Sequence, residues 1–452
     1  MNEEFTMKKI AEKFLALALN CKFVGVLCLL GISSMAWAAI PIQQWTTQNG
    51  AKVLFVETHA IPVIDINVAF DAGSRRDPTG KSGLAGLTNA SLDKGIRDAG
   101  FTMAEAKILD TFADVGAIRN NGINMDKAEY SLRVLSAREQ SDKAINMLSE
   151  LLAKPSFPAE LLERDKARLI ASIREEETRP ESIATKAFKK EIYPAHPYGV
   201  SATPETVNSI SRNDLVSFHR DHYVANRTVI TIVGDTDLNN AKKIADRICE
   251  KLAVSTSDLS GMPAVKPTAS RTDSIPHPAT QAHILLGMPS VKRGDPDFFA
   301  LMVGNYILGG GGFSSRLMQE VREKRGLTYG VYSAFSPMIQ KGPFLIGLQT
   351  EKKQADAALN VVNSTLDNFL KNGPTQAELK AAKDHLINSF AMKMDNNLKI
   401  LDLVSMIGYY HLPIDYLNTW TDNVNRVTVK DVQNAFQRKV LENELITVVV
   451  GK

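Results

Sequence analysis

Arg322 and Tyr329 are separated by six residues in the run from Gly309 to Ser333, GGGGFSSRLMQEVREKRGLTYGVYS. A guanidinium and a phenol held side by side can hydrogen-bond a carbonyl or stabilise a developing oxyanion. The elements needed to hold them are legible around the pair. Gly309, Gly310, Gly311 and Gly312 follow the apolar stretch FFALMVGNYIL, and glycines tolerate positive φ and leave room for another backbone. This predicts a helix that ends where a chain passes close, so the four glycines are candidate substrate-binding positions. Arg316, Arg322 and Arg325 are expected on the next helix, which Gly326 can close, with Tyr329 and Tyr332 on the strand beyond. Arg322 and Tyr329 then converge across the turn, and Arg316 joins the candidate substrate contacts. The plain alternative is a helix, turn and strand with a solvated basic face.

Other chemistry-bearing residues form weaker patterns. His219 and His222 in SFHRDHY flank Asp221 and offer a ligand face, but no third ligand is evident. His196 sits in the turn YPAHPYG, and His59, His277, His283, His385 and His411 are isolated. Cys249 lies on the helical pattern AKKIADRICEKL, where it reads as a small buried hydrophobe. There is no G-x-S-x-G elbow, and the glycine run lacks the Gly-Lys-Ser/Thr of a phosphate loop.

Composition narrows the class. The chain has 452 residues, a formal net charge of +3 and 44% hydrophobic residues, enough for one or two substantial cores. So small a net charge gives no electrostatic case for nucleic acid. Lys8, Lys9, Lys13 and Lys22 precede the apolar run FVGVLCLLGISSMAWA, which ends in Ala36-Trp37-Ala38. Residues 1–38 read as a secretory signal cleaved after Ala38, and the apolar run is short for a retained membrane anchor. Cys21 and Cys28 would leave with it. An exported mature chain, in the periplasm of a bacterium, is the expectation.

The mature chain repeats itself. VNSISRNDL from Val207 aligns with VNRVTVKDV from Val424, and NRTVITIVG from Asn226 lies over NELITVVVG from Asn443 at the same offset. Two copies of an α+β domain are predicted, 39–254 and 275–452, joined by a Ser, Thr and Pro-rich linker over 255–274. In the first copy AKVLFVET, VIDINVAFDAG and AEYSLRVLS read as strands, with AREQSDKAINMLSELLAK and LLERDKARLIASIREEE as helices. In the second, QAHILLGMP, YGVYSAF and PFLIGLQT read as strands, with DAALNVVNSTLDNFLKN and AELKAAKDHLINSFAMKM as helices. An antiparallel-rich sheet with helices on one face follows for each copy.

The NGAKVLFVE opening, AGSRRDPTGKSGLA, HPYG, the VGD strand end and the SRL…REKRGLTY segment together resemble the M16 metallopeptidases, of the pitrilysin and mitochondrial-processing-peptidase type. The resemblance covers almost the whole mature chain and implies two such domains in a clam-shell arrangement. It also matches Arg322 and Tyr329 to a substrate-contacting Arg-x6-Tyr pair. In that family zinc is held by His-x-x-Glu-His on a helix, because residues spaced this way share one face. The corresponding segment here is GLAGLTNASLDKG, and the three functional positions fall on Gly86, Asn89 and Ala90. None supplies the required chemistry: Gly and Ala carry no ligand atom, and an Asn amide is no general base near neutral pH. The distal acidic ligand maps near Ser172, and Glu175 to Glu177 read as a solvated helix end.

The departure implies a non-catalytic subunit of a two-chain M16B endopeptidase, with no metal in this chain and zinc in a homologous partner carrying His-x-x-Glu-His. Arg322 and Tyr329 would contact an extended peptide added to a sheet edge, near Asp114–Asn124 on the other half. Two alternatives stand beside it: a proteolytically dead binding or scaffold protein of the same fold, and a self-sufficient hydrolase built around His219 and His222.

Overall fold

The computed structural model describes residues 40–98, 100–259 and 261–452. The expected signal segment lies outside the described residues. Pro41–Lys452 forms one compact unit.

Its first sheet is assembled from β1 (Gln43–Thr46), β2 (Lys52–Glu57), β3 (Val63–Phe70), β6 (Ile118–Ile123), β7 (Ala128–Leu135) and β8 (Thr228–Gly234), in the order β1-β2-β8-β3-β7-β6. A small hairpin, β4 (Gly95–Asp98) with β5 (Phe101–Ala104), stands apart. The second sheet contains β9 (Arg271–Ile275), β10 (Gln281–Val291), β11 (Val331–Phe335), β12 (Gly342–Glu351) and β13 (Ile446–Val450), in the order β11-β12-β10-β13-β9. Strands β2 and β8 are parallel, as are β9 and β13, and every other pairing in the two sheets is antiparallel. Without β1, the two sheets have the same strand order and directions.

The offset visible near the two strand ends extends through the helices. Helices Arg138–Ala153, Ala159–Glu176, Pro180–Ile192 and Arg212–His222 begin at the same displacement from Ala355–Asn372, Gln376–Phe390, Asn397–Tyr409 and Val429–Lys439. Local devices repeat in register. Capping boxes at Ser211 with Asp214 and at Thr428 with Asp431 start equivalent helices. Lys166 donates to the carbonyls of Asn208 and Ile210, and Lys383 donates to those of Asn425 and Val427.

The halves then trade one helix each. Val53, Phe55, Ile66, Val68, Ile230 and Ile232 pack on helices of their own half, within one large core. The opposite face of that sheet is covered by Asn397–Tyr409 from the second half. Its Ser405 donates to Asn67 Oδ1 at 2.9 Å, and Gly408 lies so close that a Cβ would sit 2.5 Å from Leu54. Reciprocally, Ala184, Phe188 and Ile192 of Pro180–Ile192 cluster with Ile446, Val448 and Val450 of β13. Burying each large apolar side chain contributes roughly 1.5–3 kcal/mol. Sequence patterning predicts helices on one face, whereas the exchange covers both; β8 is accordingly buried along its whole length.

Asp126 pins the same junction. Its buried carboxylate accepts from Tyr198 Oη at 2.5 Å, Tyr410 Oη at 3.0 Å and the Ile339 amide at 2.9 Å, while Tyr409 Oη donates to its carbonyl at 2.7 Å. The expected linker ends earlier than its composition suggests, because Arg271–Ile275 pairs in parallel with β13. Alternating polar residues suit such a half-exposed edge.

Candidate functional site

The segment matching a metal helix is Leu84–Ala90, and Asp77 holds its start. The Asp77 carboxylate accepts from the Gly83 amide at 2.8 Å and the Ala85 amide at 2.7 Å. Burial pushes its pKa up to about 6, against the pull of those amides and of Lys189. Asn89 is buried and fully used: its amide donates to the Gly122 carbonyl at 2.9 Å, and its Oδ1 accepts from Tyr223 at 3.3 Å. Gly86 faces open space, with nothing within 4 Å of a built Cβ. Ser172 is exposed on helix Ala159–Glu176, its hydroxyl 3.5 Å from Glu176. Glycine, alanine and a structurally committed amide do not fit zinc, and no group of three or more His, Cys, Asp or Glu among the described residues could hold a metal ion.

The histidine pair is structural by geometry. His219 Nε2 donates to the Leu152 carbonyl at 2.8 Å, and its ring stacks on Tyr223. His222 Nδ1 donates instead to the Asp71 carbonyl at 3.0 Å. Burial lowers both pKa values, that of His219 to about 4. Cys249 is buried in the first core, and burial pushes its thiol up to about 12, which suits a hydrophobe rather than a nucleophile.

On the second half, the glycine run closes the helix Phe298–Asn305 through a π-helical turn, Tyr306–Gly310. The chain that passes close to Gly309 is the protein's own β11: a Cβ there would lie 2.5 Å from the Ser333 amide nitrogen and hydroxyl. Asn305 clamps the approach, donating to the Ser333 carbonyl at 3.0 Å and accepting from its hydroxyl at 2.7 Å. Gly310 and Gly311 are likewise crowded by Asn305 and Tyr306, and Gly312 takes φ +58°. Arg316 turns inward. It forms a two-point pair with Glu378 at 2.7 Å through each nitrogen, donates to the Gly373 carbonyl, and stacks on Phe369. That pairing holds Glu378 down at about 2.

Arg322 belongs to a second π-helical turn, Met318–Glu323, which Gly326 ends at φ +62° by donating to the Arg322 carbonyl. Its guanidinium lies over the exposed ring of Phe313 at 4.8 Å, with Glu323 3.6 Å away. Tyr329 precedes β11 instead of lying on it and is 77% exposed. No hydrogen bond joins Arg322 to Tyr329 among the described residues. Tyr329 and Phe313 are exposed and Arg322 is half-buried on one short segment.

Tyr332, on edge strand β11, marks a grouping that sequence patterning does not single out. Tyr332, Gly347 and Leu285 form one row across β11, β12 and β10, on the face that receives the exchanged helix Pro180–Ile192. Gly347 lets the phenol lie across the sheet, since a Cβ would meet its ring at 2.7 Å. Glu181, His283 and Tyr332 line a cavity of about 360 Å³ there. Burial and then Glu181 raise the Tyr332 pKa, whereas burial lowers that of His283. Glu181 also borders a larger cavity of about 710 Å³ between helices Ala159–Glu176 and Pro180–Ile192. Only Gly347, a glycine inside a strand, hinted at this grouping.

Comparison with known proteins agrees with this arrangement. Residues 52–203 match the insulinase (peptidase family M16) model, and residues 209–386 match the peptidase M16 inactive domain. The non-peptidase homolog YmxG of Helicobacter pylori is 26% identical over 432 residues, 94% of this chain and 97% of that relative. An uncharacterized zinc protease YmxG of Bacillus subtilis is 25% identical over 359 residues, covering 78% of this chain and 85% of that relative. The crystal structure of a peptidase M16 inactive domain from Pseudomonas fluorescens superimposes with a TM-score of 0.86 at 36% identity, covering 91% of this chain and 97% of that chain. With a duplicated α+β fold and these likenesses along nearly all of its described length, the chain belongs to the peptidase M16 family.

Proposed function

We propose that this protein is the non-catalytic, substrate-binding subunit of a heterodimeric M16 zinc endopeptidase, exported to the periplasm and inactive alone. The observation that carries the reading is the contrast between its two halves. The helix at the metal position has Gly86, Asn89 and Ala90, whereas Tyr329 is exposed and Arg322, half-buried, meets the Phe313 ring and an ion-pair contact with Glu323. The donors of Arg322 and Tyr329 suit the backbone carbonyls of an extended peptide, and edge strand β11 with the cavity beside Tyr332 supports this reading. Zinc belongs in this reading to a homologous partner with His-x-x-Glu-His. Residues 39–254 and 271–452 act as the two repeats, with 255–270 between them.

A purified zinc-bearing homologue mixed with this chain is expected to cleave peptides. Arg322→Ala or Tyr329→Phe should lower the kcat/KM of the mixture about 10²-fold, the scale of removing one oxyanion donor, without lowering Tm. An active mixture indifferent to both substitutions removes the assigned role.

The stacking of Arg322 on Phe313, with no bond to Tyr329, favours a second reading: a proteolytically dead binding or scaffold protein. Peptide binding with no turnover in any partner complex would select it.

A further inference from the structure

The junction between the halves encloses a cavity of about 640 Å³ that none of the residues discussed above for catalysis line. Its wall carries four arginines, Arg75, Arg76, Arg227 and Arg293, and Lys52, against a single carboxylate, Asp71. Asp71 is shared by two of them. Arg75 Nη2 reaches it at 2.5 Å, and Arg76 grips it through Nε at 3.0 Å and Nη2 at 2.7 Å.

The other three cations have no carboxylate within ion-pair distance among the described residues. Arg227 donates to the Asp221 carbonyl and the Ser255 hydroxyl, both at 3.0 Å. Lys52 Nζ reaches only the Gly408 carbonyl, at 3.4 Å. Arg293 lies over the Tyr410 ring at 5.2 Å, and its buried Nε has no hydrogen-bond partner. The Nε of Arg75 is also buried and unpartnered; the Asp126 carboxylate behind it stands 3.7 Å away, and the side chain is only 4% exposed. Gathering like charges in a partly enclosed space costs free energy that a bound counter-charge would recover.

We propose that this cavity binds a compact multivalent oxyanion of the phosphate class. Guanidinium forks suit phosphate oxygens two at a time, and buried donors without partners are what such oxygens satisfy. Because Lys52, Arg75 and Arg227 come from the first half and Arg293 from the second, the ligand bridges both repeats.

The test is titration calorimetry and thermal unfolding of the mature chain with inorganic pyrophosphate, at constant ionic strength set with potassium chloride. Saturable binding and a raised Tm are expected. Arg293→Gln and Lys52→Gln should each weaken binding at least tenfold, while Lys353→Gln, an exposed cation outside the cavity, should leave it unchanged. Lys52→Gln removes no carboxylate partner, so it tests the site even if Arg293→Gln fails to fold. The proposal is overturned by absence of saturable binding, by equal weakening in all three variants, by no weakening in the folded cavity variants, or by tighter binding of citrate than of pyrophosphate.

Discussion

At the scale of residues, the polar groups of the chain are of two kinds: those that hold the fold and those that face outward. Asp77 is of the first kind, and its environment has a pH consequence. Between about pH 4, where an unfolded aspartate ionises, and pH 6, where the folded one does, the native state keeps a proton that the unfolded chain loses. Stability from this group therefore falls as pH rises through that window. Asp77→Asn should flatten the fall in Tm from pH 4 to pH 6; an unchanged slope would remove Asp77 as its source. That Gly86, Asn89 and Ala90 offer zinc no ligand follows from residue type alone. The inward turn of Arg316 does not. Its fate depends on Glu378, sixty-two positions along the chain, and nothing near Arg316 announces that pairing.

At the scale of elements, glycines at two helices report opposite surroundings. Gly86 faces open space, so Gly86→Ala should gain about 0.5–1 kcal/mol from helix propensity alone. Gly408 is pressed onto Leu54 and Val229, so Gly408→Val should cost about 1–3 kcal/mol through overpacking. Urea-unfolding midpoints of the two variants, moving in opposite directions, check both. Alternating or continuous apolar runs made β2, β3, β7, β10 and β12 readable, and 3.6-residue spacing did the same for Arg138–Ala153 and Ala355–Asn372. The exchanged helices escaped. Asn397–Tyr409 is apolar on most sides because it is buried against a distant sheet, and Pro180–Ile192 has its partner beyond the linker. Tyr329 was expected on a strand, but pairing of β11 with β12 begins only at Val331.

At the scale of the whole molecule, duplication and exchange decide how the chain folds. The repeat offset was visible at two places in the sequence, whereas which repeat each helix serves is a long-range fact that local pattern does not carry. Each half alone would leave one sheet face bare, so 40–254 and 271–452 expressed separately should be insoluble or bind hydrophobic dyes. Produced together they should reassociate and unfold in a single calorimetric transition, and independently folded, soluble halves would contradict this. The traded helices also forbid a motion. Swinging the two halves apart about a hinge would strip Asn397–Tyr409 and Pro180–Ile192 from their seats and uncover Phe188, Leu54 and the Asp126 carboxylate at once. On the proposed function, a polypeptide entering beside Tyr332 would be admitted at the margin of a body that does not hinge between its halves, and a gate wide enough for it would open between separate molecules.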